Sequence, residues 1–157
     1  MAMTERRATD SDVDACERIV RALPDYFTDD VPAKVRQDLA SHGGWVITDD
    51  DAVVGFAVTE RRSAAAEIRW IAVDPARRGS GLGTRLLRRM LADLRGDGVV
   101  LVEVKTLDGS VDYPPYAPTR AFWERRGFLQ IDTVDPLPGW RPGNPCAFYV
   151  AALAATV

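Results

Sequence analysis

Arg77-Arg78-Gly79-Ser80-Gly81-Leu82-Gly83-Thr84 brings together, in eight residues, the groups that hold a phosphate. Glycines at 79, 81 and 83 let the backbone approach an anion with no Cβ in the way. An apolar run ending at Val73 precedes them and a leucine-rich helical pattern follows, so free N–H groups converge at the positive end of a helix dipole. Ser80 and Thr84 add hydroxyl donors, and Arg77 or Arg78 can meet a phosphate oxygen directly. A nucleoside-triphosphate loop would need a lysine after its second glycine, and Leu82-Gly83-Thr84-Arg85 has none. A dinucleotide fingerprint fails because Thr84 stands at its last glycine. The acidic residue expected about 20 positions on is also missing, since Arg95-Gly96-Asp97 is a helix exit. A tight structural turn is the competing reading.

The elements that must carry this loop follow from hydrophobic period. Residues 64–73 read as a central strand, and Leu82, Leu86, Leu87, Met90, Leu91 and Leu94 lie on one face of the following helix. Val99 to Val104 is the next buried strand. Upstream, Thr4 to Ala8 is a short strand, and Thr9 to Asp12 caps a helix carrying Val13, Cys16, Ile19, Val20 and Leu23, which Pro24 stops. A second helix runs from Val31 to about Ala40, with Pro32 in its first turn. Trp45 to Ile47 and Ala52 to Thr59 form a hairpin around the solvated turn Asp49-Asp50-Asp51. Downstream come a loop from Asp108 to Pro118, a helix from Thr119 to Arg126 stopped by Gly127, and strands at 128–134 and 147–153. The order specifies an α/β domain of the mixed, α+β kind.

With 157 residues, 46% hydrophobic and 27% charged, the chain suits one globular domain. A net charge of −3 argues against a general nucleic-acid binder. Residues 60–95 nevertheless hold nine arginines against four carboxylates, a local field that would draw a small polyanion, although most of these arginines read as the solvated face of one helix. Cys16 and Cys146 have neither disulfide nor zinc spacing and read as reduced thiols. His42, the one histidine, sits in a turn and reads as a surface residue. Glu5, Arg6, Arg7 and Asp10 stand where a signal peptide would need an apolar core, and no apolar run reaches membrane-spanning length. A cytoplasmic protein with no membrane or metal partner is the expectation.

Ala72-Val73-Asp74-Pro75, followed by the arginine-glycine loop, resembles the acyl-CoA loop of the GNAT superfamily of N-acetyltransferases. That superfamily's Arg/Gln-x-x-Gly-x-Gly/Ala pattern is met by Arg78, Gly81 and Gly83. Thr119-Arg120-Ala121-Phe122-Trp123-Glu124-Arg125-Arg126-Gly127-Phe128 is similar to its later helix, which usually ends aromatic-Tyr-Glu-x-x-Gly-Phe. The resemblance covers about residues 4–153. It implies the GNAT fold over a single domain, 1–157: a central, mixed, mostly antiparallel twisted sheet of about seven strands flanked by helices.

It also implies acetyl-CoA as donor and an amine as acceptor. Arg78, Gly79, Ser80, Gly81, Leu82, Gly83 and Thr84 would then hold the pyrophosphate, and backbone N–H groups of Ile71, Ala72 and Val73 would meet the thioester carbonyl. An amine of pKa about 10.4 must lose a proton before it attacks. Glu67 resembles the glutamate of histone-type members and is the candidate base, directly or through water, with pairing to Arg69 or Arg62 as the alternative. The superfamily's tyrosine acid falls on Trp123, which has no titratable proton. Tyr116 or Tyr113 could supply a phenol instead, or could pack against a substrate pocket, or the thiolate leaves without a dedicated acid. Tyr26, Phe27 and Trp140 lie in segments that cover the acceptor in the superfamily and, with Trp70, are candidates for its binding wall. The expected function is acetyl transfer to a primary amine of a small molecule or peptide. Protein N-terminal or lysine acetylation and non-catalytic acyl-CoA binding are the alternatives. A homodimer is compatible with the resemblance, and no motif decides it.

Overall fold

In the computed structural model, which describes residues 2–153, the apolar alternations become seven strands of one sheet and the leucine-type periods become four α-helices among the described residues. Met1 and residues 154–157, which the single-domain expectation includes, lie outside them. The strands are β1 (Met3–Arg7), β2 (Gly44–Asp49), β3 (Ala52–Arg62), β4 (Ala65–Val73), β5 (Leu101–Leu107), β6 (Leu129–Val134) and β7 (Cys146–Ala152). The helices are α1 (Val13–Arg21), α2 (Val31–His42), α3 (Leu82–Gly96) and α4 (Ala117–Arg125). The sheet order is β1-β2-β3-β4-β5-β7-β6, with β4–β5 parallel and every other pair antiparallel. This is the mixed, mostly antiparallel α/β sheet expected.

Two cores lie on opposite faces of the sheet. Cys16, Ile19, Val20, Val35 and Leu39 of α1 and α2 pack on Val46, Phe56, Val58 and Ala72. On the other face Leu82, Leu86, Leu87, Met90 and Leu94 of α3 share a cluster with Trp45, Ile47, Ile68, Val102 and Val104, which Trp123 of α4 and Phe128 extend. Each fully buried side chain of this kind contributes about 1.5–3 kcal/mol by leaving water.

Element ends differ from the sequence expectation where polarity misleads. β3 continues past Thr59 because Glu60, Arg61 and Arg62 pair with Glu67, Ala66 and Ala65 across the sheet, where opposite charges neutralise one another. α4 starts at Ala117, two residues early, since Pro118 in the first turn has no helical N–H to lose. A 3-10 turn, Pro114–Tyr116, occupies the end of the expected loop. Asp50 and Asp51 form the tight turn with positive φ, but Asp49 belongs to β2, is buried, and pairs with Arg77.

Two irregularities open the middle of the sheet. A bulge in the β3–β4 ladder leaves Arg69 unopposed, between Val58↔Trp70 and Thr59↔Ile68. β4 and β5 pair only from Ala65↔Leu101 to Ile68↔Val104; beyond that, Lys105 to Leu107 pair with β7 alone and Trp70 to Val73 with β3 alone.

Candidate functional site

The glycine loop leaves β4 at Asp74, passes through a short 3-10 turn at Pro75–Arg77, and enters α3 at Leu82. Gly79 (φ +81) and Gly81 (φ +77) are both left-handed, a region costly for side-chain-bearing residues, and a Cβ on either would meet nothing within 4 Å. A ligand can therefore lie against the backbone there. Arg85 N–H makes the first helical bond, to Gly81 at 3.1 Å, so the N–H groups of Leu82, Gly83 and Thr84 have no carbonyl in the helix and are available to an anion. The residues fit a phosphate. Ser80 Oγ donates to the Arg77 carbonyl at 2.5 Å and braces the turn.

The opened gap lies next to this loop. Asp74 N–H donates to Val54 of β3 at 2.8 Å. Counting back by twos, Ala72 also faces β3, whereas the N–H groups of Ile71 and Val73 face the side from which β5 has departed. Of the three amides expected to meet a carbonyl, Ala72's is committed to the sheet. The other two point into the gap.

An aromatic wall borders the gap. Phe27 lies edge-on to Trp70 at 6.1 Å, Tyr26 edge-on to Tyr116 at 5.4 Å, and Tyr113 lies 5.7 Å from Tyr116. Tyr113 donates to the Asp25 carbonyl at 2.5 Å and Tyr116 to the Tyr26 carbonyl at 3.0 Å, so the segment after β5 is latched to the one between α1 and α2. Burial, with Tyr113 and Tyr26 adding to it, pushes the Tyr116 phenol up to about 12. Arg78 stacks over the Tyr26 ring at 5.3 Å, linking the phosphate loop to this wall. Trp140 is half-buried in the 135–145 loop, outside this set of ring contacts. Trp123 is 2% exposed and packs edge-on against Phe122 and Phe128, a core residue where the superfamily pattern has tyrosine.

Carboxylates line up across three strands just before the gap opens. Glu60 of β3 is in register with Glu67 of β4, and Glu67 with Glu103 of β5. Glu67 is 7% exposed; Arg62 donates to its Oε1 at 2.7 Å, and Lys105 Nζ lies 3.3 Å from Oε2. Lys105 also lies 3.5 Å from Glu103 Oε1, a buried oxygen that accepts no hydrogen bond. The bulge turns Arg69 and Trp70 to the same side, where both donate to Asp38 Oδ2 of α2, at 2.9 and 2.6 Å. The sequence expectation names Glu67 as the candidate base and does not include Glu103 or Lys105, which the structure places beside it. Their alternation with Val102 and Val104 was visible, but Glu103 meets Glu67 only through the parallel register.

No helix of the described residues is long and apolar enough to cross a membrane, and no group of three or more metal-ligating side chains occurs among them. The loop with its free N–H groups, the open strand pair, the aromatic wall and the row of carboxylates all meet at the end of β4 or along it. A model of the acetyltransferase (GNAT) domain matches residues 40–130. The chain belongs to the GNAT acetyltransferase family.

The chain is 37% identical over 106 residues to N-alpha-acetyltransferase RimI of Mycobacterium tuberculosis, covering 62% of this chain and 65% of that protein. It is 35% identical over 107 residues to protein ML0378 of Mycobacterium leprae, covering 29% of it. The match thus spans less than two thirds of either relative. A GNAT-family crystal structure from Desulfovibrio desulfuricans is similar with TM-score 0.85 and 27% identity, over 98% of this chain and 100% of that one. The ribosomal-protein-S18-alanine N-acetyltransferase of Escherichia coli shares the fold, with TM-score 0.77 at 19% identity, over 99% and 97% of the two chains.

Proposed function

We propose that this chain is an acetyl-CoA-dependent N-acetyltransferase acting on a primary amine of a small molecule or peptide, as one domain in the cytoplasm. The observation that carries the reading is the phosphate loop opening directly onto the β4–β5 gap. When bound, the donor supplies an activated acetyl thioester. The chain's own groups do the rest: the loop and α3 hold phosphate, and the amides of Ile71 and Val73 offer hydrogen bonds to a carbonyl in the gap. Glu67 and Glu103 stand ready to take the ammonium proton, and the geometry favours Glu103. Both Glu67 oxygens are occupied, by Arg62 and Lys105, while the buried Glu103 Oε1 accepts no hydrogen bond and has an acceptor position open. Tyr113 and Tyr116 serve as wall and latch, since each already donates its proton to a carbonyl.

A second reading, transfer to the α-amine of a protein or peptide, is favoured by the identity to N-alpha-acetyltransferase RimI. The experiment is a thermal shift with acetyl-CoA followed by thiol release across a panel of polyamines, aminoglycosides, lysine peptides and peptides with free N-termini. Stabilisation by the donor plus release with one amine class is the expected result. No stabilisation at about 100 times a plausible Kd sinks the acyl-CoA reading. Stabilisation with no release from any amine leaves a binding module.

A further inference from the structure

Arg126 follows the last residue of α4, yet its guanidinium reaches across to α3. It donates through Nη2 to the Thr84 hydroxyl and through Nη1 to the Phe122 carbonyl at 2.9 Å, and its Cζ lies 3.7 Å from the Phe122 ring centroid. Its Nε is buried and makes no hydrogen bond. Of the other arginines around the loop and α3, Arg77 pairs with Asp49, Arg85 with Glu5 and Arg89 with Asp93, while Arg78 stacks on Tyr26. The charges bearing on Arg126 are instead the positive ones of Arg88 on α3 and Arg125 on α4, which add to burial in lowering its pKa. A partly buried cation beside two like charges is short of an anion. Thr84 lies in the first turn of α3, where a donor phosphate would sit. By accepting from Arg126 it keeps its own proton to donate.

We infer that Arg126, with Arg88 and Arg125 beside it, forms a subsite for a phosphate group of the donor, bridging the start of α3 and the end of α4. This rests on the acyl-CoA reading. Coenzyme A carries both a pyrophosphate and a ribose 3′-phosphate, and the arginine chemistry suits either. The phosphate would supply the counter-charge that the three arginines lack, and it would accept the Thr84 proton.

The test is calorimetric titration of CoA and of 3′-dephospho-CoA into the full chain and into Arg126→Gln, at about 50 and about 300 mM salt. Binding of CoA by the unaltered chain checks the acyl-CoA reading separately; without it that reading fails first. Arg126→Gln is expected to weaken CoA by about ten- to hundredfold and to flatten the salt dependence. An equal loss for both ligands assigns the pyrophosphate, and a loss confined to CoA assigns the 3′-phosphate. Affinity within about twofold of the unaltered chain, or a loss with unchanged salt dependence, overturns the subsite. Should Arg126→Gln fail to fold, Arg88→Gln and Arg125→Gln replace exposed side chains. A loss of about two- to fivefold in each, again with flatter salt dependence, supports the inference, and unchanged affinity in both overturns it.

Discussion

Glu67 and Glu103 flank the same ammonium, Lys105, and differ in what else they hold. Glu67 also carries Arg62, so both its oxygens are occupied, whereas Glu103 Oε1 accepts no hydrogen bond and is open to a new donor. Glu103→Gln is therefore expected to lower kcat by about a hundredfold, and Glu67→Gln by about tenfold or less. Steady-state thiol release decides it, and the reverse order would return the base to Glu67. Tyr116 poses the same kind of question. Its phenol is held near 12 and donates to Tyr26, which suits a latch better than an acid for a thiolate of pKa about 8.5. Tyr116→Phe should raise the acceptor KM and reduce kcat by less than about tenfold; a fall of more than about a hundredfold at unchanged KM would make it the acid.

The loop and α3 were legible in the sequence because their determinants are local: glycines at fixed spacing, then leucines at helical period. Gly81 shows how tightly that local chemistry is bound to conformation. At φ +77 an alanine costs about 1–2 kcal/mol and puts a methyl group where a phosphate would lie. Gly81→Ala should lower the melting temperature modestly and weaken CoA more than tenfold by about the same steric logic, measured by thermal shift and titration. The gap was less legible. It depends on a bulge at Arg69 and on β5 leaving β4 after Val104 while staying paired with β7, a strand that begins 45 positions after Leu101 in the numbering. Tyr26 meets Tyr116 across 90 positions, and Arg126 reaches Thr84 across 42, so no window of sequence contains either contact. Trp123 was legible in one respect only. Its lack of a titratable proton could be read from residue type, but its burial between Phe122 and Phe128 needed the packed structure.

At the scale of the molecule, polar contacts tie helices to the sheet, helix to helix and loop to strand, and their protonation sets the pH range of the fold. Arg6 of β1 donates to Asp12 at the start of α1 and holds that carboxyl below its usual range despite burial. Arg36 of α2 does the same for Glu17 of α1. Burial raises Asp93 of α3, but Trp45 of β2 and Arg89 outweigh it and leave the carboxyl lowered. Ser110 first, then Gln130 and Thr133, hold Asp108 at about 2. Each depressed carboxylate stabilises the fold above its unfolded pKa of about 4 and loses that contribution as the pH falls through the native value. On the alkaline side burial raises Cys16 to about 12, Cys146 to about 11 and Tyr149 to about 12. These groups stabilise below their unfolded values, about 8.5 for the thiols and 10 for the phenol, and the contribution is lost as pH rises through the native ones. Urea midpoints should thus stay flat from about pH 5 to 8, falling below about 4 and above about 9, with up to 1.4 kcal/mol per pH unit for each proton taken up or released. Asp12→Asn should lower stability at neutral pH and make the acid limb shallower, because one proton uptake is removed. A midpoint that rose as the pH dropped to about 3, or an Asp12→Asn curve parallel to the original, would show that these carboxylates do not couple the layers.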